Sequence, residues 1–163
     1  MTLAADRRSA SPHRPGDPDP DRPVEFWSTA AVRVALEGGD IATWKNIAAA
    51  LKRDPYGRTA RQVEEVIQGA RYGIAKALWE VLERARAQLE ADERAEVARH
   101  VRLLVDRSGL GQQEFASRIG VGAEDLAAYL NGTLSPSASL MIRMRRLSDR
   151  FVRVKNTRSA QSH

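Results

Sequence analysis

The chain of 163 residues contains no cysteine, which excludes disulfide bonds and thiolate zinc sites. No segment reaches the ~20 consecutive apolar residues that a membrane helix needs, and the N-terminus lacks the apolar run of a signal peptide. We therefore expect a cytoplasmic protein without a membrane partner. Aromatic residues make up only 6% of the chain, but 42% hydrophobic residues are enough for a packed core.

Residues that carry catalysis or bind metals are also scarce. Of the three histidines, His13 and His163 lie near the ends of the chain and His100 stands alone, so no zinc ligand set can be assembled. The sequence has neither a phosphate-binding Gly-Lys-Ser loop nor a Gly-x-Ser-x-Gly nucleophile motif. We therefore predict that the protein is not an enzyme and requires neither a metal ion nor a cofactor.

Basic residues outnumber acidic ones by 26 to 21, and the excess is concentrated near the C-terminus. Segment 143–158 holds seven basic residues and one acidic residue, a net charge of +6. Such a run is often only a solvated surface, but it is also typical of a surface that binds a polyanion.

Proline content and apolar spacing divide the chain into five segments. Residues 1–23 hold five of the seven prolines and few apolar residues, which predicts a disordered tail. Segment 24–72 is predicted to be a small helical module, and 73–92 a connecting helix that also serves for dimerisation. We interpret 93–152 as the main domain and 153–163 as a basic disordered tail.

The helical module is predicted to contain three helices. The first ends at Gly38-Gly39, the second begins at about Ile41 or Thr43, and the third is capped by Thr59 after a turn that begins with Asp54-Pro55. The first helix is assigned from one apolar stripe, formed by Phe26, Trp27, Ala30, Ala31, Val34 and Ala35. The second and third helices are either a second helix-turn-helix with a long turn or a hairpin that only builds a core.

Between Ile74 and Arg107 there is no proline or glycine, which allows one long helix. Asp92 is a candidate cap for a new helix where the apolar stripe fades, and we favour two helices. The apolar stripe of residues 74–91 is the candidate dimer interface. Trp79, on the same helix, is expected to be a core residue.

Residues 109–136 predict two short helices joined by a tight turn. The first helix covers about 112–118 and buries Phe115, Ala116 and Ile119, which share one face. Gly120 turns the chain and Val121 fills the gap between the helices. The second helix covers about 123–130, carries Leu126 and Leu130 inward, and is stopped by Asn131-Gly132.

This stretch resembles the lambda-repressor-like (XRE-type) helix-turn-helix family. The resemblance rests on Gln112 opening one helix, Ala116 and Gly120 at the turn, and Leu126 before Asn131-Gly132. It covers about residues 95–151, including one helix before the motif and another introduced by Pro136-Ser137. The resemblance implies an all-α fold in which a C-terminal helix-turn-helix bundle follows the smaller helical module. That module is either helix-turn-helix-like or merely structural.

In that family the second helix of the motif reads bases in the major groove, and a glutamine opening the first helix holds a phosphate. The DNA-binding residues that the resemblance and the basic segment imply are Gln112, Gln113, Ala123, Glu124, Ala127, Asn131, Arg146, Arg150, Arg153 and Lys155. Base contact is assigned to Ala123, Glu124 and Ala127. Glu124 and Asp125 are explained equally well as acidic residues that favour a helix N-terminus.

The resemblance implies a sequence-specific transcription regulator that binds double-stranded DNA as a homodimer, in the cytoplasm and associated with the nucleoid. Two alternatives stay open. One is an antitoxin-like or adaptor protein whose fold binds a protein partner, and the other is a nucleoid-type binder without sequence preference. The sequence identifies neither an operator nor the direction of regulation.

Overall fold

The computed structural model describes residues 16–69 and 73–162, without the side chain of Ile74. In these residues every regular element is a helix, which confirms the all-α prediction. A short 3-10 helix at Val24–Phe26 precedes seven α-helices of the described chain. They are α1 (Thr29–Gly38), α2 (Ile41–Arg53), α3 (Arg58–Gln68), α4 (Gly73–Ser108), α5 (Gln112–Ile119), α6 (Ala123–Asn131) and α7 (Ala138–Gln161). The chain forms two compact units, the N-terminal unit Met1–Ala87 and the C-terminal unit Gln88–His163, which divide within α4.

In the N-terminal unit the apolar faces of α1, α2, α3 and the beginning of α4 form one core. Its fully covered side chains include Val32, Ile47, Leu51, Val63 and Leu82, all 0% exposed. Side-chain caps start the first two helices, because an oxygen there satisfies a backbone N–H that has no partner within the helix. The Ser28 hydroxyl accepts from the Ala31 N–H at 3.1 Å, and the Asp40 carboxylate accepts from the Thr43 N–H at 2.7 Å.

The apolar stripe assigned to the first helix is confirmed in part, because Trp27, Ala31 and Ala35 are buried and its other three members are exposed. Phe26 is 61% exposed and Val34 43% exposed, whereas Val32 and Leu36 are buried. Within α1 the buried face includes Val32 and Leu36 in place of Ala30 and Val34. Phe26 departs from the stripe because α1 begins only after the cap at Ser28, and Val24–Phe26 form a separate 3-10 turn. Side chains on the two sides of Ser28 therefore do not belong to one helical face.

The cap assigned to the third helix was also wrong. Gly57, not Thr59, precedes α3, and the Thr59 side chain is buried inside the first turn. Arg58 and Thr59 are both helical. The turn from Asp54 to Gly57 is therefore two residues shorter than the sequence indicated.

Residues 73–108 form one helix, and the two helices that we favoured are not present. Asp92 does not cap a new helix, because it lies inside α4. Its carboxylate accepts a hydrogen bond from the Gln88 side chain one turn earlier, at 2.9 Å. No proline or glycine interrupts the segment between Ile74 and Arg107. The backbone hydrogen bonds of the helix therefore continue through it.

The candidate dimer interface on residues 74–91 is largely used inside the N-terminal unit. Ala75, Leu78 and Leu82 are buried, and Leu78 and Leu82 complete its core. Trp79, which we expected in the core, is 41% exposed. It follows Leu78 directly, and neighbouring residues on a helix point in different directions.

The end of the segment expected to be a disordered tail is attached to the N-terminal unit. The Trp27 indole N–H is shared between the backbone carbonyls of Asp19 and Arg22, at 3.1 and 3.0 Å. Val24 is 6% exposed. Residues 1–15 of that predicted tail, including His13, lie outside the described residues, as does His163.

In the C-terminal unit the helices predicted around the tight turn are confirmed within one residue of their ends. Phe115, Ala116 and Ile119 of α5 and Leu126 of α6 are all buried. Gly120 has φ +81° and Gly132 φ +78°, a left-handed conformation that glycine adopts without strain. Val121 and Leu130 pack against this core, which α4 and α7 complete with Val101, Leu104, Val105, Leu140, Met144 and Leu147.

The basic C-terminal segment is helical and not a disordered tail over residues 153–161. Ser137 caps α7 by accepting from the Leu140 N–H at 3.1 Å. No proline or glycine follows Pro136, so nothing stops the helix. Near its end Thr157 and Ser159 donate their hydroxyls to carbonyls one turn back, at 3.0 and 3.1 Å, which satisfies these side chains within the helix.

Candidate nucleic-acid interface

All ten residues assigned to DNA binding are exposed on the C-terminal unit. Gln112 and Gln113 occupy the first turn of α5, where backbone N–H groups have no partner within the helix. Gly111 precedes them and provides no side-chain cap. These donors and the glutamine amides are therefore available to an anion at this end of α5.

The outward face of α6 carries Glu124, Ala127 and Asn131, which are spaced at i, i+3 and i+7. Leu126 on the opposite side is 1% exposed and holds the helix to the core. The Asn131 side-chain oxygen accepts from the Thr133 N–H at 2.9 Å and also from the Thr133 hydroxyl. Asn131 therefore fixes the turn after α6, a role for which no DNA is required.

Four arginines form a row along one side of α7, which we call the arginine row. They are Arg143, Arg146, Arg150 and Arg153. Their spacing of i, i+3, i+7 and i+10 places them within about 80° of arc and over about 15 Å of helix. In the described part of the chain the side chains of Arg146, Arg150 and Arg153 have no ion-pair or hydrogen-bond partner. Their charge is therefore available to a ligand.

Lys155 does not belong to the arginine row. Its Nζ lies beside Gly109, in the space that a Cβ at that position would need. Gly109 directly follows the last residue of α4, where a cation interacts favourably with the negative end of the helix dipole. The structure thus favours a stabilising contact for Lys155 over a phosphate contact.

Two arginines contact the C-terminal ends of α5 and α6 in the same manner, and the sequence analysis predicted neither role. Arg102 Nη2 donates to the Leu130 carbonyl near the end of α6 at 2.6 Å, and Arg143 Nη1 donates to the Ile119 carbonyl of α5 at 3.4 Å. The partners are 28 and 24 residues away in sequence, so no local pattern indicates them. Through Arg143, the arginine row begins beside the turn between α5 and α6.

The C-terminal end of α5 contacts α7 at a second point. The Arg118 guanidinium lies over the Phe151 ring, 5.1 Å from its centroid, and its Nη2 pairs with Glu114 at 2.8 Å. The arginine row and the exposed end of α5 are therefore parts of one surface. Arg118 itself is held between two partners.

Charge in the C-terminal unit is strongly uneven. Residues 88–142 hold five basic and eight acidic residues, a net −3, against +6 for residues 143–158. α6 has Glu124 and Asp125 and no basic residue. The positive potential that would attract a polyanion is therefore concentrated on α7.

Within the described residues no group of three His, Asp or Glu side chains lies close enough to hold a metal ion. No helix there is both long and apolar enough to cross a membrane. No protein-family model, curated protein or solved structure matches the chain.

Proposed function

We propose that this protein is a sequence-specific transcription regulator that binds double-stranded DNA through its C-terminal unit. The observation that carries the proposal is the arginine row, which begins with Arg143 beside the turn of a compact α5-turn-α6 motif and continues with three unpaired guanidinium groups. Arginine is well suited to phosphate because it is always charged and can donate two parallel hydrogen bonds.

The motif supports a helix-turn-helix of the lambda-repressor-like kind. An eight-residue helix, a left-handed glycine and a nine-residue helix are packed between the end of α4 and the beginning of α7. In such an arrangement the second helix enters the major groove and neighbouring elements contact the backbone. On this proposal α6 presents Glu124 and Ala127 to the bases, with Ala123 at its start.

The base contacts open to this face are specific but few. A glutamate accepts a hydrogen bond from the cytosine N4 amino group, and an alanine methyl contacts the thymine methyl. Gln112 and Gln113 would hold a phosphate at the start of α5, and Arg146, Arg150 and Arg153 would hold others along α7. Affinity would thus come mainly from phosphate contacts and be sensitive to salt.

We propose further that two copies bind together, since one short helix reads too few base pairs to define a site. The contact surface that fits best is an open groove between α4 and α7 in which Leu103 is 58% exposed beside Val97 and Met141. Glu93, Glu96 and Arg99 line the same groove, so opposite charges could pair across a two-fold axis. Light scattering should show a dimer, and Leu103→Glu should yield a monomer. A monomeric wild type with and without DNA would contradict this part.

One observation favours a second function, a protein-binding adaptor: the outward face of α6 is acidic, and phosphate would repel it. Selection of bound duplexes from a random DNA pool at two salt concentrations separates the readings. A regulator enriches one motif at both concentrations. A nucleoid-type binder retains DNA at low salt without enriching a motif, and an adaptor retains none but captures a protein in a pull-down without DNA.

A further inference from the structure

α3 of the N-terminal unit has an outward face that differs in chemistry from that of α6. It carries Arg58, Arg61, Glu65 and Gln68, all exposed, at the spacing i, i+3, i+7 and i+10. We call these four residues the α3 outer face. They extend over about 15 Å of one side of the helix. Each of them ends in a group that can hydrogen-bond to the edge of a base.

We infer that α3 is a second base-reading helix, and that the N-terminal unit binds double-stranded DNA in addition to the C-terminal unit. The identity of the ligand rests on the proposed function, while the site and its residues are independent of it. Arginine pairs with guanine, glutamine with adenine and glutamate with cytosine in the major groove. A helix that presents all three side-chain types is better equipped to discriminate sequences than α6, whose face includes alanines.

The charge on the α3 outer face is available. Within the described residues, Arg58 and Arg61 have neither an ion pair nor a hydrogen-bond partner for their side chains. Of the acids beside them, Glu64 is already paired with Arg86 at 2.6 Å. Neither Glu65, one turn after Arg61, nor Asp54, whose carboxylate lies at Gly57, forms an ion pair with either arginine. Two free guanidinium groups three residues apart at the start of a helix therefore face solvent with no internal role.

The opposite face of α3 is anchored along its whole length. Ala60 and Val63 are 0% exposed and Val66 is 3% exposed. The buried Gln62 amide donates to the Trp27 carbonyl at 3.0 Å and lies 3.4 Å from the Thr29 hydroxyl. This anchoring is stronger than that of α6, in which Leu126 alone is fully covered. A reading helix benefits from such rigidity, because its side chains are then positioned before DNA arrives.

The turn before α3 is held just as firmly. Arg86 of α4 donates through Nε to the Pro55 carbonyl at 2.9 Å and pairs through Nη1 with Glu64 of α3. Its guanidinium lies over the Tyr56 ring, 4.9 Å from the centroid. One arginine thus connects the turn, α3 and α4, and sets the position of the α3 N-terminus. α2 and α3 together form a helix, a fixed turn and an anchored helix.

The test is selection from a random DNA pool with the full chain carrying Arg58→Ala or Arg61→Ala. Arg33→Ala is the matched control, since Arg33 is an exposed arginine on α1 of the same unit. Circular dichroism melts should be the same for all three variants. We expect each α3 variant to lose preference for one base of the wild-type motif by about 5- to 150-fold, the range for one bidentate contact, while Arg33→Ala selects the wild-type motif.

Three outcomes would overturn the inference. The α3 variants could select the unchanged motif, or could weaken all sequences equally, which would reduce the face to phosphate contact. If Arg146→Ala still weakens DNA binding in either case, the proposed function survives and only the inference fails. If the wild type retains no DNA, both the proposed function and the inference fail. In that case, a protein that the wild type captures and the Arg61→Ala variant does not would assign the α3 outer face to protein binding.

Discussion

Removing the unpaired part of the arginine row should change how DNA binding depends on salt. Each phosphate neutralised by a cation releases condensed counterions and contributes ~0.9 to the slope of log affinity against log salt. Arg146, Arg150 and Arg153 are exposed and have no partner in the described chain. Changing all three to alanine should therefore reduce the slope by about 2.7, if each holds one phosphate.

The measurement is fluorescence anisotropy of a labelled duplex titrated with protein between 50 and 200 mM salt. Over that fourfold range, a slope smaller by about 2.7 makes the affinity loss about 40-fold smaller for the variant than for wild type. The melting temperature should barely change, because these side chains are exposed and have no ion-pair or hydrogen-bond partner in the described protein.

The control changes Arg145, Lys155 and Arg158 to alanine, which removes the same charge from the same helix outside the arginine row. Because Lys155 also contacts Gly109, the slope of this variant is measured at a temperature where its circular dichroism melt shows the fold intact. Its slope should stay within about one unit of wild type, since only general screening changes. Equal slopes for the two triple variants would refute the assignment of phosphate contacts to the row. An unchanged slope in both would show that α7 is only a solvated basic helix.

Four further predictions concern individual side chains. Leu126→Ala should destabilise the C-terminal unit by ~2 to 5 kcal/mol in a thermal melt, because it leaves a cavity. Glu124→Gln should leave the melt unchanged and alter the DNA preference at one base pair by roughly 1 to 3 kcal/mol. If Glu124→Gln instead tightens binding to all sequences equally, Glu124 only repels phosphate. Arg86→Ala should lower the free energy of unfolding by about 1 to 3 kcal/mol in denaturant titrations, and an effect no larger than that of exposed Arg84→Ala would contradict its role in holding the turn. The hydrogen bond from the Thr43 N–H lowers the pKa of Asp40 below its ordinary 3.8, so the stability from this cap is fully present above pH 3.8 and is lost as the pH falls through the pKa of the folded state. Asp40→Asn keeps a capping oxygen that does not titrate, and it should therefore lose less stability than wild type on acidification from pH 5 to 2. Equal losses of stability in the two proteins would count against the cap.

Short-range patterns predicted the C-terminal motif well. Gly120 and Gly132 end their helices because a left-handed residue is needed there, and that requirement is visible in the sequence. The spacing of Phe115, Ala116 and Ile119 likewise identified the buried side of α5. In each case the evidence lies within one or two helical turns of the residue concerned.

The sequence-based predictions were wrong where one local pattern is compatible with more than one structural role. Asp92 can cap a new helix or accept a hydrogen bond from Gln88 within a continuous helix, and the structure shows the second arrangement. The apolar stripe of 74–91 covers the N-terminal core because Leu78 and Leu82 meet α1 to α3, which the helix sequence alone does not indicate. Lys155 was counted with its basic neighbours, although its angle on α7 directs it towards Gly109. Long-range partners decide such cases.

The central claim is that this chain distinguishes one DNA sequence from others, and the ratio of two dissociation constants tests it most directly. The full chain should be titrated, at about 150 mM salt, onto the duplex it selects and onto a scrambled duplex of the same length and composition. The account predicts tighter binding to the selected duplex by at least about 10³-fold, the lower end of the range for specific regulators. A ratio near one, or no binding to either duplex, would contradict it.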